Sequence, residues 1–100
     1  MKRSLTDILD NLIHILDVCS HTKKAKWVHQ IRTLLDDHKV DSNEFQNTLE
    51  TLLENLTGMG SISDSPMYPK DGSRLTPSEA SLLLWDTIEE IGELAKQLKI

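Results

Sequence analysis

Apolar residues recur every three to four positions in four stretches of this chain, which is the spacing of helices that bury one side. The first two helices are predicted over residues 5–19 and 23–37, and the third begins after Asp41 or Ser42. No segment alternates between apolar and polar residues as a half-buried strand would. The pattern therefore predicts an all-α fold, a compact bundle of about four helices, in one domain spanning residues 1–100.

The clearest helix start is the Thr-Pro-Ser-Glu run at residues 76–79, before the fourth helix. Threonine is a good capping residue, proline fits the first helical position, and a glutamate three residues after the cap reaches back to it. Ser4 and Asp7 have the same spacing at the start of the first helix. The apolar stripes of the second and fourth helices include Leu34 and Leu83, so we expect both to be buried.

A loop of nineteen residues, 57–75, separates the third and fourth helices and is rich in Gly, Ser, Pro and Asp. Connections longer than about 12–15 residues are uncommon in compact domains and are usually functional or disordered. This loop carries side chains that a core can bury, namely Met59, Ile62, Met67 and Tyr68. We therefore expect a long ordered loop packed on the helices, with residues 68–71 exposed as a contact surface.

Leu82 and Trp85 lie outside the apolar stripe of the fourth helix, about 160° and 100° from Leu84 at 100° per residue. Glu89 and Glu93 continue that side of the helix. Because tryptophan is a favoured anchor at protein interfaces, one interpretation is a partner-binding surface. The other interpretation is that the loop folds over Leu82 and Trp85 and buries them against its own apolar residues.

The chain has sixteen acidic and eleven basic residues, for a formal net charge of −5. Nucleic-acid-binding proteins need clustered Lys and Arg, so direct nucleic-acid binding is not expected. An acidic surface suits a basic protein partner, although mild acidity also simply aids solubility. The N-terminal residues lack the apolar stretch of a signal peptide, no segment is long enough to span a membrane, and the single Cys19 cannot form an internal disulfide. We therefore expect a cytoplasmic protein without membrane contact.

Residues 87–96 resemble the first half of the metal-binding motif in all-helical nucleoside triphosphate pyrophosphohydrolases of the MazG type. In that motif, paired glutamates and a third one turn later project toward magnesium; here they are Glu89, Glu90 and Glu93. The chemistry needs a second acidic pair on a following helix, and only Asp7 and Asp10 have comparable spacing. No two histidines are spaced to bind zinc. We therefore expect no metal, cofactor or enzymatic activity, and pyrophosphohydrolase is the alternative function.

The Gly-Met-Gly-Ser-Ile-Ser-Asp run at residues 58–64 resembles a loop in a family of small all-helical bacterial proteins of unknown function. Members of that family carry a Gly-Gly-Met-Gly-Ser-hydrophobic-Asn-Asp type of loop between helices. In this chain Thr57 replaces the first glycine and Ser63 replaces the asparagine. The chain is also similar to immunity proteins of contact-dependent growth inhibition and related polymorphic toxin systems. That resemblance implies an antitoxin that binds a cognate toxin, a nuclease in the main hypothesis, and occludes its active site.

The predicted partner-binding residues are acidic and aromatic side chains of the first helix, the loop and the fourth helix. They are Asp10, Asp17, Asp64, Tyr68, Asp71, Trp85, Glu89, Glu90 and Glu93. The acids would pair with lysines and arginines of the toxin, and the loop residues would add shape specificity. A third interpretation is a helical scaffold that homodimerises through Trp85.

Overall fold

Four α-helices joined by three connections make up the described part of the chain. The computed structural model describes residues 4–56, 62, 66–70, 72 and 74–98. The helices are α1 (Leu5–Val18), α2 (Thr22–Asp37), α3 (Asn43–Leu56) and α4 (Pro77–Leu98). Within these residues there is no strand. The predicted all-α bundle of four helices is confirmed. Helix α1 ends one residue before its predicted end, and α2 begins one residue before its predicted start.

The start of α4 has the reciprocal hydrogen bonds of a capping box. The Glu79 backbone N–H donates to the Thr76 hydroxyl oxygen over 3.1 Å, and the Thr76 backbone N–H donates to Glu79 Oε1 over 3.2 Å. Pro77 occupies the first helical position, where no N–H is needed. These contacts confirm the start that residues 76–79 predict.

Serine hydroxyls cap two further helices, α1 and α3. Ser4 Oγ accepts a 3.2 Å hydrogen bond from the Asp7 backbone N–H. Ser42 Oγ accepts a 3.1 Å hydrogen bond from the Phe45 backbone N–H, so Ser42 rather than Asp41 caps α3. A side-chain cap of this kind stabilises a helix by about 0.5–2 kcal/mol.

The helices pack as an antiparallel bundle in which α1 contacts α2 and α4. Helix α3 packs on α2 and, over a shorter stretch, on α4. Gln46, near the start of α3, donates from Nε2 to the carbonyl oxygens of Val40 (2.7 Å) and Leu98 (3.0 Å). The α2–α3 connection and the end of α4 therefore lie at one end of the bundle. The α1–α2 connection and the loop between α3 and α4 lie at the other, which we call the loop end.

Leucine and isoleucine side chains fill the core between the helices. The largest fully buried ones are Leu9, Leu12, Leu16, Leu49, Leu52, Leu84, Ile91 and Val28. The prediction that Leu34 and Leu83 are buried is wrong, since their exposed fractions are 45% and 41%. Both lie at the border of an apolar stripe that is wider than the contact with the neighbouring helices. Thr87 is buried instead, and its hydroxyl is satisfied by donating to the Leu83 carbonyl oxygen over 2.7 Å.

The described residues of the loop between α3 and α4 contact the α1–α2 connection and the core at the loop end. Ile62 and Met67 are buried and join the core. The Lys70 backbone N–H donates to the Val18 carbonyl oxygen over 2.9 Å, and His21 Nε2 donates to the Pro66 carbonyl oxygen. Because a carbonyl oxygen only accepts, this contact requires a proton on Nε2 of His21. We call residues 66–70 the strap.

Candidate functional site

Large apolar side chains are exposed on the side of α4 that faces away from the core. Leu82 is 64% exposed and Trp85 is 54% exposed, and Leu83 is exposed beside them. The interpretation that the loop buries Leu82 and Trp85 is therefore wrong. The strap does not cover these two side chains, because its hydrogen bonds to Val18 and His21 hold it on the α1–α2 connection.

Four exposed acidic residues follow these apolar side chains along the same helix. We define the α4 outer face by the seven exposed residues Leu82, Leu83, Trp85, Asp86, Glu89, Glu90 and Glu93. Glu93 Oε1 lies 3.9 Å from Lys96 Nζ, and both side chains are largely exposed. Such a pair contributes about 0–1 kcal/mol and opens readily. The α4 outer face is thus apolar in its N-terminal turns and acidic in the turns that follow.

Asp10 is engaged within the protein, by Arg32 of α2. Arg32 Nη2 donates to Asp10 Oδ2 over 3.3 Å, and Arg32 Nε lies 2.6 Å from Asp10 Oδ1. The Nε–H is not aligned for a hydrogen bond, so this second contact is electrostatic only. Asp10 therefore cross-links α1 to α2, and its predicted role in partner binding competes with this pair.

Asp17 lines an open groove of about 400 Å³ between α1 and α2. Ile13 and Ala25 contribute apolar surface to this groove, and Lys26 and His29 contribute polar side chains. The groove contains one acid among mixed neighbours, so it lacks the acidic character of the α4 outer face. The role of Asp17 in partner binding stays a prediction.

Tyr68 is an exposed aromatic side chain of the strap. It is 72% exposed, although its neighbour Met67 is buried. The strap thus presents Tyr68 at the loop end, as the expectation of an exposed contact stretch requires. Asp64 and Asp71, also predicted to contact the partner, lie outside the described residues.

The structure brings only part of the predicted residue set together. Trp85, Glu89, Glu90 and Glu93 share the α4 outer face, whereas Asp10 and Asp17 lie on the side of α1 that faces α2. The predicted set omitted Leu82, Leu83 and Asp86, which also belong to the α4 outer face. Asp86 is recognisable in the sequence from its spacing to Leu82 and Glu89, four and three residues away on one helix.

The acidic residues that the structure describes do not converge on a metal-binding arrangement. In the described part of the chain, no group of three or more His, Cys, Asp or Glu side chains could hold a metal ion. In particular, Asp7 and Asp10 do not join Glu89, Glu90 and Glu93 in such a group. The second acidic pair that the pyrophosphohydrolase motif requires is therefore not assembled among these residues.

Cys19 is a free, buried cysteine at the end of α1. Burial raises the pKa of its thiol above the ordinary value of 9.0. A thiol with a raised pKa carries little thiolate near neutral pH, and the thiolate is the reactive form. The environment of Cys19 thus favours a packing role over nucleophilic chemistry.

Comparisons of the chain with known proteins found no relative. No protein-family model, curated protein or solved structure matches the chain. Among the helices in the described ranges, none is both long and apolar enough to cross a lipid bilayer.

Proposed function

We propose that this protein is an immunity protein that binds a basic protein toxin, a nuclease, in the cytoplasm and neutralises it by occluding its active site. The proposal assigns binding, and no catalysis, to this chain. The observation that carries it is the exposure of Leu82 and Trp85 on a helix whose opposite side is fully buried. The choice of an immunity protein as the class of binder follows the expectation raised by the sequence, which is small, acidic and all-helical.

The apolar part of the α4 outer face has the composition of an interface centre. Scattered single apolar residues are normal on a protein surface, but a cluster rimmed by polar residues is typical of an interaction site. Leu82 and Trp85 are three residues apart and therefore adjacent on one side of α4. Tryptophan is among the residues that carry most of the binding energy in protein complexes, because its large ring is desolvated in a partner's pocket.

The acidic part of the same face indicates the charge of the partner. Asp86, Glu89 and Glu93 present carboxylates on consecutive turns, beside the apolar cluster. A nuclease binds the phosphates of its substrate with lysines and arginines. A surface with regularly spaced carboxylates attracts those same side chains and blocks access of the nucleic acid. The net charge of −5 adds a long-range attraction of the same sign.

The test uses the protein encoded by the gene adjacent to this one, because immunity genes normally lie directly after their toxin. Co-expression of the two proteins is expected to restore growth of cells that the toxin alone arrests. Titration of the purified pair by calorimetry is expected to give a tight one-to-one complex, and addition of this protein should abolish nuclease activity. The absence of both a complex and protection would refute the proposal.

Matched substitutions assign the binding to the α4 outer face. Leu82→Ala is compared with Leu34→Ala, since both leucines are exposed but lie on different helices. Glu89→Lys is compared with Glu50→Lys, an equal charge change on the exposed side of α3. We expect Leu82→Ala, Trp85→Ala and Glu89→Lys each to weaken binding at least tenfold, and the two control substitutions to leave it within about twofold. Equal losses for members of a pair would show that another surface is used.

A further inference from the structure

Gly92 is a glycine in the interior of α4 for which the fold supplies no reason. Glycine in a helix interior is less stable than alanine, because the unfolded chain has more conformations to lose. A glycine is nevertheless required where the backbone has a positive φ or where another part of the protein approaches closely. Among the described glycines only Gly72 has a positive φ, and a Cβ placed on Gly92 meets nothing within 4 Å. Neither requirement applies to Gly92.

The position of Gly92 relates it to the α4 outer face. It lies seven residues after Trp85, two turns along the same side of the helix and about 10 Å away along the axis. It is three residues after Glu89 and is only partly buried. A shallow notch without a side chain therefore lies below the exposed tryptophan, on the border of the acidic turns.

We infer that Gly92 is the point of closest approach between α4 and a basic amphipathic helix of the toxin. This inference rests on the proposed function and specifies the part of the partner that it binds. Two packed helices lie 8–10 Å apart, and the shorter distances require small residues at the crossing point. With the partner helix crossing at Gly92, its apolar side covers Trp85 and Leu82, and its basic residues face Glu89 and Glu93.

A helix fits this surface better than an extended segment does. One common way to bind an extended peptide is to add it as a strand to a sheet edge, and the described residues contain no strand. A helix instead binds a helical surface through residues spaced three, four and seven apart. Leu82, Trp85, Glu89 and Gly92 have that spacing.

The experiment measures stability and binding for substitutions at Gly92, with the protein encoded by the adjacent gene as the probe. Gly92→Ala is expected to raise the urea midpoint of unfolding and to weaken binding at least tenfold. Gly92→Leu is expected to weaken binding at least a hundredfold while the protein stays folded. Asn47→Leu, which places the same side chain on the exposed side of α3, serves as the control and should bind as the wild type does.

Other outcomes of this experiment would contradict either the inference about Gly92 or the proposed function. If Gly92→Leu binds like the wild type while Trp85→Ala has lost binding, this inference is wrong and the proposed function stands. If Gly92→Ala lowers the urea midpoint, glycine is needed for the fold itself and the inference is also wrong. If the wild-type protein does not bind the probe at all, the proposed function fails and the inference fails with it.

Discussion

Ser20 adopts a backbone conformation that serine rarely adopts, at the point where α1 turns into the connection to α2. Its φ of 65° lies in the left-handed region. The His21 backbone N–H donates to the Leu16 carbonyl oxygen (2.8 Å), and the Ser20 N–H donates to the Asp17 carbonyl oxygen (3.0 Å). These are the two hydrogen bonds of a Schellman motif, in which the left-handed position is usually glycine. The helix end is thus well bonded but strained at one residue.

Replacement of Ser20 by glycine should therefore stabilise the protein. The left-handed conformation costs an L-residue about 1–2 kcal/mol, which exceeds the extra chain entropy that glycine loses on folding. We expect Ser20→Gly to raise the free energy of unfolding by about 0.5–1 kcal/mol, measured by urea denaturation. Ser20→Val should lower it, since a β-branched side chain is least tolerated at positive φ. A loss of stability in Ser20→Gly would contradict this account.

A second prediction at the scale of single residues follows from the buried thiol of Cys19. The pKa of Cys19 is raised in the folded protein, so the folded state holds its proton to a higher pH than the unfolded state does. The contribution of Cys19 to stability is therefore complete below about pH 9 and declines as the pH rises through the folded-state value. At pH 8 we expect a chromogenic disulfide reagent to modify Cys19 much more slowly in buffer than in urea. Equal rates would show that the thiol is accessible.

At the scale of elements, the strap contributes both to the core and to the surface through adjacent residues. Met67 is buried among the helices, whereas Tyr68 projects into solvent. Met67→Ala should destabilise the protein by about 2–4 kcal/mol, because it removes buried apolar atoms and leaves a cavity. Tyr68→Ala should change stability by less than about 0.5 kcal/mol. Thermal unfolding followed by circular dichroism separates the two, and similar losses would mean that Tyr68 also packs.

The helices were predictable from the sequence because their start signals are local. A cap and its partner are three residues apart, so Thr76 with Glu79 and Ser4 with Asp7 specify helix starts without knowledge of the rest of the fold. The surface on which the loop packs was not predictable in this way. Its contacts join residues about fifty positions apart, such as Lys70 and Val18, and helical periodicity contains no information about them.

At the scale of the whole molecule, the candidate site was predictable only in part, for the same reason. The sequence places Trp85, Glu89 and Glu93 outside the apolar stripe of one helix, and the structure exposes them together. The pairing of Asp10 with Arg32 joins two helices, and no local pattern indicates it. Periodicity therefore identifies which side of a helix is polar, but the neighbours of that side depend on how the helices assemble.

The charge of the molecule makes a prediction about the rate of complex formation. Attraction between the acidic protein and a basic toxin acts over about one Debye length, which shrinks from about 10 Å at 0.1 M salt to about 3 Å at 1 M. We expect the association rate constant with the protein encoded by the adjacent gene to fall at least tenfold over that range, measured by stopped-flow tryptophan fluorescence. The dissociation rate should change less. A rate independent of salt would contradict electrostatic steering.

The hydrogen bond from Lys70 to Val18 gives the strap a reporter of its own. Two of the five strap residues are prolines, which have no N–H. Lys70 lies outside the helices, and its amide N–H donates to a carbonyl oxygen at the end of α1. Its amide proton should exchange with solvent deuterium more slowly than that of Tyr68, two residues earlier in the strap. Opening of the strap alone would release Lys70 while the amides of α1 remain protected. The exchange rate of the Lys70 amide thus measures the free energy of local strap opening, separately from the free energy of global unfolding.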